Sequence, residues 1–322
     1  MEEKNIFHPD FSNINIDKTI PTISISAVLG LLDIPFDRDG VAQKTYDKNF
    51  NNPNSQYYQK TVEEIIDMWE SKGATSRRYG SMLDDYIGLN LKPTISSDGI
   101  NRELMLWKMN NDYVNDERLH NLCDSFDNFY TLLSKSGDTV FIDRERTLYY
   151  KIKVTNPLTN ELVDYYVKGR FDALFYNKRT NKWIVIDWKS SGTIDKVPDK
   201  WTNKFLGPMN KYPALNYYSY TNQLHFYKKA LIESKYLPEG TTEDDVIIMI
   251  VNLPGKICEG SGTNFETHTA AMKYDSELMD KIFTFAIQKD LITPKDNSET
   301  INENKEKPIE NNTEQNNLDN IF

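Results

Sequence analysis

Lys168-Gly-Arg-Phe-Asp172-Ala-Leu-Phe-Tyr-Asn-Lys-Arg-Thr-Asn-Lys-Trp-Ile-Val-Ile-Asp187-Trp-Lys-Ser-Ser191 decides the fold. Phe171 to Tyr176 and Trp183 to Asp187 are rich in aromatic and β-branched residues, and Asn177 to Lys182 supply turn chemistry. The stretch therefore predicts two strands of a hairpin. With the turn centred on Arg179 and Thr180, Asp172 faces Asp187 and Arg170 faces Lys189. Side chains alternate faces along a strand. Phe171, Ala173, Phe175, Ile184, Ile186 and Trp188 are then expected on one apolar face, with Asp172, Asp187 and Lys189 on the other. Cross-strand partners sit roughly 5 Å apart at Cβ. Two carboxylates that close repel unless a cation lies between them. All-oxygen ligation suits Mg²⁺ or Mn²⁺. A solvated face with incidental charges is the competing reading, and a one-residue slip would part the two acids.

Composition narrows the class. The chain has 322 residues, a net charge of −10 and a mean hydropathy of −0.63. This is the balance of a protein with a sizeable core, in one large domain or two small ones. No run of about 18 apolar residues predicts a membrane span. Met-Glu-Glu-Lys-Asn at the start lacks the basic and apolar regions of a signal peptide. Cys123 and Cys258 are far apart and in no metal spacing, so a reduced, cytoplasmic compartment is expected. Acidity disfavours tight non-specific binding to nucleic acid. Much of it is local, however: from Lys289 onward, eight acids face four lysines.

Gly-Arg-Phe-Asp172, a hairpin, and Ile-Asp187-Trp-Lys189 resemble the PD-(D/E)xK nuclease superfamily, and more narrowly its RecB-like exonuclease branch. Gln223 and Tyr227, four residues apart on one predicted helix face, match the Q-x-x-x-Y motif that follows D-x-K in that branch. Arg-Tyr-Gly80-Ser81-Met-Leu-Asp84-Asp85 resembles the family's first motif, with Asp84 where a metal-binding His usually stands. The resemblance spans about residues 61 to 253. It implies an α/β fold with a mixed sheet, the restriction-endonuclease-like core with flanking helices. It also implies a metal-dependent DNA nuclease acting in replication, recombination or repair. Asp172, Asp187, the Trp188 carbonyl and Asp84 are then expected to hold Mg²⁺ or Mn²⁺, with Asp85 as the fallback. Lys189 would orient the attacking water. Gln223, Tyr227, Arg170 and Arg78 would contact DNA, either single strands or duplex ends. Two cysteines cannot build the four-cysteine iron–sulfur staple of some RecB-like nucleases. A non-catalytic nuclease-fold module that binds DNA or protein, and a structure-specific endonuclease, are the alternatives.

Along the chain, residues 1–22 are expected to be a flexible lead-in, 23–135 a helical region carrying motif one, 136–289 the nuclease core, and 290–322 a disordered acidic tail. A short helix is expected after Pro21, and a loop over 36–60. Helices are predicted over Thr61–Lys72, the motif-one stretch, Asp116–Lys135 and Asp275–Lys289. Arg77 and Arg78 then fall at the motif-one helix's start. Thr139–Val154 reads as a strand pair or one long strand, with Glu145 either an ion-pair partner or a ligand. Val246–Leu253 reads as a strand buried on both faces. Lysines and aromatics interleave over 195–212, which suits either a single-stranded backbone with stacked bases or an ordinary amphipathic loop. The closing Leu318-Asp-Asn-Ile-Phe322 resembles tails that recruit a replication or recombination protein. Abundant Asn, Lys and Ile fit an A/T-rich, viral genome.

Overall fold

The computed structural model describes residues 9, 11, 16–96, 99–200, 202–258 and 262–293. Most of the lead-in, the tail beyond residue 293 and its Leu318–Phe322 tip lie outside the described residues. The fold is mixed α/β, with two mixed sheets and seven α-helices among the described residues. No described helix is long and apolar enough to cross a membrane.

The larger sheet forms around the expected hairpin. Strands β5 (Ala173–Asn177) and β6 (Lys182–Lys189) pair antiparallel with Ala173 against Ile186, the predicted register. The turn closes because Asn177 Oδ1 accepts from Thr180 N and Oγ1, each at 3.0 Å. Strand β7 (Val246–Asn252) runs parallel to β6, and β2 (Thr139–Arg144) and β8 (Glu266–His268) complete the order β2-β5-β6-β7-β8. Both faces are apolar. Ala173, Phe175, Ile184, Ile186 and Trp188 pack on one side; Leu174, Trp183 and Val185 pack on the other. Phe171 belongs to the second group, not the first, because the chain bends at Phe171–Asp172 before β5 begins.

The smaller sheet has the order β1-β4-β3, formed by β1 (Thr22–Ser24), β4 (Leu162–Arg170) and β3 (Thr147–Thr155). Thr139–Val154 thus forms two strands, and they belong to different sheets. Glu145, at φ 52°, makes the joint between them. Arg170 ends β4 opposite Thr147, so it does not face Lys189 as expected.

Helix α3 (Val62–Leu91) opens on a capping box, Thr61 with Glu64, and runs unbroken through both predicted helices. Arg77 and Arg78 therefore lie mid-helix rather than at a start. Its C-terminal half, with α4 (Arg102–Asn110) and α5 (Glu117–Ser134), covers the Trp188 face of the large sheet. Helices α1 (Ile25–Leu32), α6 (Asn216–Glu233) and α7 (Ser276–Ile292) cover the other face. Helix α7 carries the chain three residues past the predicted end at Lys289. A helix, α2 (Arg38–Asn49), replaces about half of the predicted 36–60 loop. Strand β7 is buried except at Ile247, which is 40% exposed at the end remote from Asn252, and at half-buried Met249.

At Gly169, side chains of α1 and α6 press directly on the small sheet. A Cβ there would lie 2.6 Å from the Phe226 ring and 2.8 Å from the Ile25 side chain.

His225 is buried on α6 against Tyr274, and its Nε2 has no hydrogen-bond partner. Burial, reinforced by Lys228, pushes its pKa down to about 4. The folded chain keeps this imidazole neutral while the unfolded chain protonates it near pH 6.5. Stability is thus fully present above about pH 6.5 and falls as pH drops toward 4, by about 3 kcal/mol from this group. His225→Phe keeps the aromatic contact and should flatten that acid limb, with little loss at pH 7. Urea melts at pH 7 and pH 4.5 measure it; equal acid sensitivity in both proteins would exclude His225 as the cause.

Candidate active site

The site lies where β6 ends and β5 begins, under α3 and α6. A cavity of about 440 Å³ opens there, lined by Arg77, Asp84, Glu145, Arg170, Asp172 and Lys189 among others. A larger cavity, about 760 Å³, lies on the outer half of α3 beside Trp69, Lys72 and Arg118, with Asp67 as the acid in its lining.

The two acids are brought together as the register requires. Asp172 Oδ2 accepts from the Trp188 N–H at 2.7 Å, which ties the residue before β5 to the end of β6. Asp187 is fully buried, and Lys189 Nζ lies 2.6 Å from its Oδ2. That contact is an ion pair without hydrogen-bond alignment, and Oδ1 of Asp187 has no hydrogen-bond partner at all. Burial, then repulsion from Asp187, pushes Asp172 up to about 7. Burial raises Asp187 too, against the pull of Lys189. Two neighbouring acids, one of them fully buried, hold on to a proton more firmly than separate acids do, and a bound cation can take over its role.

Lys189 is also boxed in. Its ammonium sits 4.4 Å from the centre of the Tyr220 ring. Burial opposes its charge, but Asp187 and Asp172 outweigh burial and hold its pKa above the ordinary lysine value. Lys189 is therefore a cation held between its acids, suited to holding a water or an anionic oxygen. The end of β6 is locked by neighbours: Leu253 N donates to Lys189 O at 2.6 Å, and Ser191 N donates to Oδ1 of buried Asn252 at 3.1 Å.

Helix α6 braces the other strand. Gln223 Nε2 donates to Tyr227 Oη at 2.6 Å, and Tyr227 Oη donates to the Arg170 carbonyl at 2.7 Å. Tyr227 is 1% exposed. The expected DNA contact by Tyr227 is corrected accordingly: its hydroxyl is spent on holding the approach to Asp172. Gln223 is half-buried and keeps an open side.

Other expected residues divide. Arg170 is exposed at the cavity and pairs with Glu145 at 3.5 Å, so Glu145 is an ion-pair partner. Arg77 lines the cavity, whereas Arg78, about 100° further round the helix, does not. Asp84 reaches the cavity, but its Oδ1 is held by Arg144 Nη2 at 2.8 Å. Among the described residues, no three His, Cys, Asp or Glu converge closely enough to hold a metal ion. Of the carboxylates expected as ligands, Asp172 and Asp187 fit an oxygen-seeking divalent ion, on the strength of the unpartnered Asp187 Oδ1. Lys196 and Lys211 of the 195–212 stretch sit over Tyr217 and Tyr212, and Phe205 is buried, so part of that stretch is a packed loop.

Three residues escaped the sequence reading. Tyr220 lies one turn before Gln223, so helical spacing signals it. Asn252 is a polar residue ending an apolar strand, also a visible sign. Arg144 has no local signal, because its role depends on α3.

No protein-family model matches the chain, and no curated protein matches it.

Proposed function

We propose that this chain is a metal-dependent DNA nuclease of the PD-(D/E)xK type, RecB-like branch, with a restriction-endonuclease-like core. One observation carries the reading: half-buried Asp172 and Lys189 line one cavity, and Lys189 lies 2.6 Å from fully buried Asp187, whose charge reaches Asp172 as well. Asp172, Asp187 and the Trp188 carbonyl would hold Mg²⁺ or Mn²⁺. Such an ion, when bound, acidifies water and stabilises charge on a scissile phosphate. The chain's own residues do the rest. Lys189 orients the attacking water and meets the charge that develops on phosphate. Arg170 and Arg77 supply cations at the cavity's mouth for the flanking phosphates. Gln223 and Tyr227 hold the end of β4, two residues before Asp172. An exonuclease in replication, recombination or repair is the role this chemistry fits, and the Asn-, Lys- and Ile-rich composition fits a virus-encoded protein working in a host cytoplasm.

Labelled linear and circular DNA, single- and double-stranded, incubated with Mg²⁺ or Mn²⁺, tests this. Loss of label from linear DNA alone is the expected result; cutting of circles indicates an endonuclease. Among the described residues no third acid joins Asp172 and Asp187, which favours one rival, a non-catalytic module that binds DNA. Retention of every substrate intact, with binding, would establish that rival.

Tyr220 gives a second test. Tyr220→Leu removes the ring over Lys189 and should slow cleavage on the order of tenfold, while Tyr220→Phe keeps the ring and the rate. Equal rates in the two variants would show that Tyr220 does not position Lys189.

A further inference from the structure

We propose that Arg144 withholds Asp84 from the metal, so that the site takes a single divalent ion on Asp172 and Asp187; this rests on the nuclease reading and specifies its ion count. Arg144 Nη2 bonds twice to one residue, 2.8 Å from Asp84 Oδ1 and 3.3 Å from the Asp84 carbonyl. Glu145 Oε2 lies 3.4 Å away on the same nitrogen. The guanidinium lies flat on α3 at Gly88, where a Cβ would fall 1.6 Å from Nη1. Glycine inside a helix is unfavourable relative to alanine. Here its lack of a side chain is what lets the guanidinium reach Asp84.

The electrostatics follow. The Arg144 side chain is 11% exposed and carries a permanent charge. For an ion to recruit Asp84, that nearly buried charge would lose its main counter-ion. An ion and a guanidinium also repel each other. The Arg144–Asp84 pair therefore presents the cavity with a neutralised carboxylate, and the ion finds its negative charge in Asp172 and Asp187. A fixed cation stands where a further ligand would otherwise begin a second site.

Mn²⁺ titration followed by electron paramagnetic resonance counts bound ions without relying on turnover. One ion per chain is expected for the unaltered protein, and none for Asp187→Asn. Asp84→Asn should leave both count and affinity unchanged. Arg144→Gln should add a second ion, and Asp84→Asn on that background should remove it. Gly88→Ala, which forces the guanidinium aside, should also add the second ion and serves if Arg144→Gln does not fold. If neither folds, Asp84→Asn decides alone. Two ions in the unaltered protein overturn the proposal, as does an affinity loss of about tenfold or more in Asp84→Asn. One ion in folded Arg144→Gln or Gly88→Ala overturns it as well. With cleavage intact, those results leave the nuclease reading standing. No Mn²⁺ bound and no DNA cut would remove both.

Discussion

Asp187→Asn should reduce Mg²⁺- or Mn²⁺-dependent DNA cleavage by roughly 10²–10³-fold or more, with no loss of thermal stability. The two halves of this expectation have one cause. Asp187 is wholly buried, its Oδ1 bonds to nothing, and its charge is opposed by burial. An isosteric amide removes a costly charge from the fold while removing the ion's best ligand. Lys189→Ala should lose cleavage similarly, because no other ammonium in the described cavity lining can replace it. Its stability should drop, since Asp187 is left without its counter-charge. Labelled-DNA digestion and thermal melts on the same preparations read both effects. Cleavage at the unaltered rate by Lys189→Ala would sink the catalytic assignment. A lower melting temperature in Asp187→Asn would show that the acid is structural.

Gly169→Val should be the most damaging single change to the fold among those considered, at about 3 kcal/mol. The added methyls would enter space held by Phe226, Ile25 and Tyr227, all rigid or fully buried neighbours. Relief requires α6 to lift off β4. Tyr227 would then lose the Arg170 carbonyl, and Asp172 its brace. Gly169→Ala should cost less, about 1 kcal/mol, and leave cleavage measurable. Urea denaturation of both variants tests this; an unchanged midpoint in Gly169→Val would mean that α6 does not rest on β4 as described.

The hairpin was legible because strand alternation and an Asn-led turn are local properties. Asp172 and Asp187 could be placed opposite one another by counting alone. Arg170 could not, since counting assumes a straight strand and the chain leaves the small sheet at Phe171. Helix α2 was hidden for a different reason: only Ala42 on it is buried, so no apolar stripe marks it. The apolar stripe of Val62, Ile65, Ile66 and Trp69 stops near Lys72, but the long, half-exposed helix runs on through Gly73 and the polar residues after it. Tyr227 was found as a motif residue, but only packing reveals that its hydroxyl faces inward. The Arg144–Asp84 contact, 60 residues apart in the chain, depends on how α3 crosses the joint at Glu145.

The parallel pairing of Thr22–Ser24 with Tyr166–Lys168 ties an early segment of the chain to the strand leading into Asp172. Trimming or proteolytic nicking just beyond Ser24 would therefore unlace β4 from its outer edge and loosen the acid at its far end. Where a shortened form of this protein is prepared, the cut belongs upstream of Pro21, whose carbonyl already accepts from Tyr166 N.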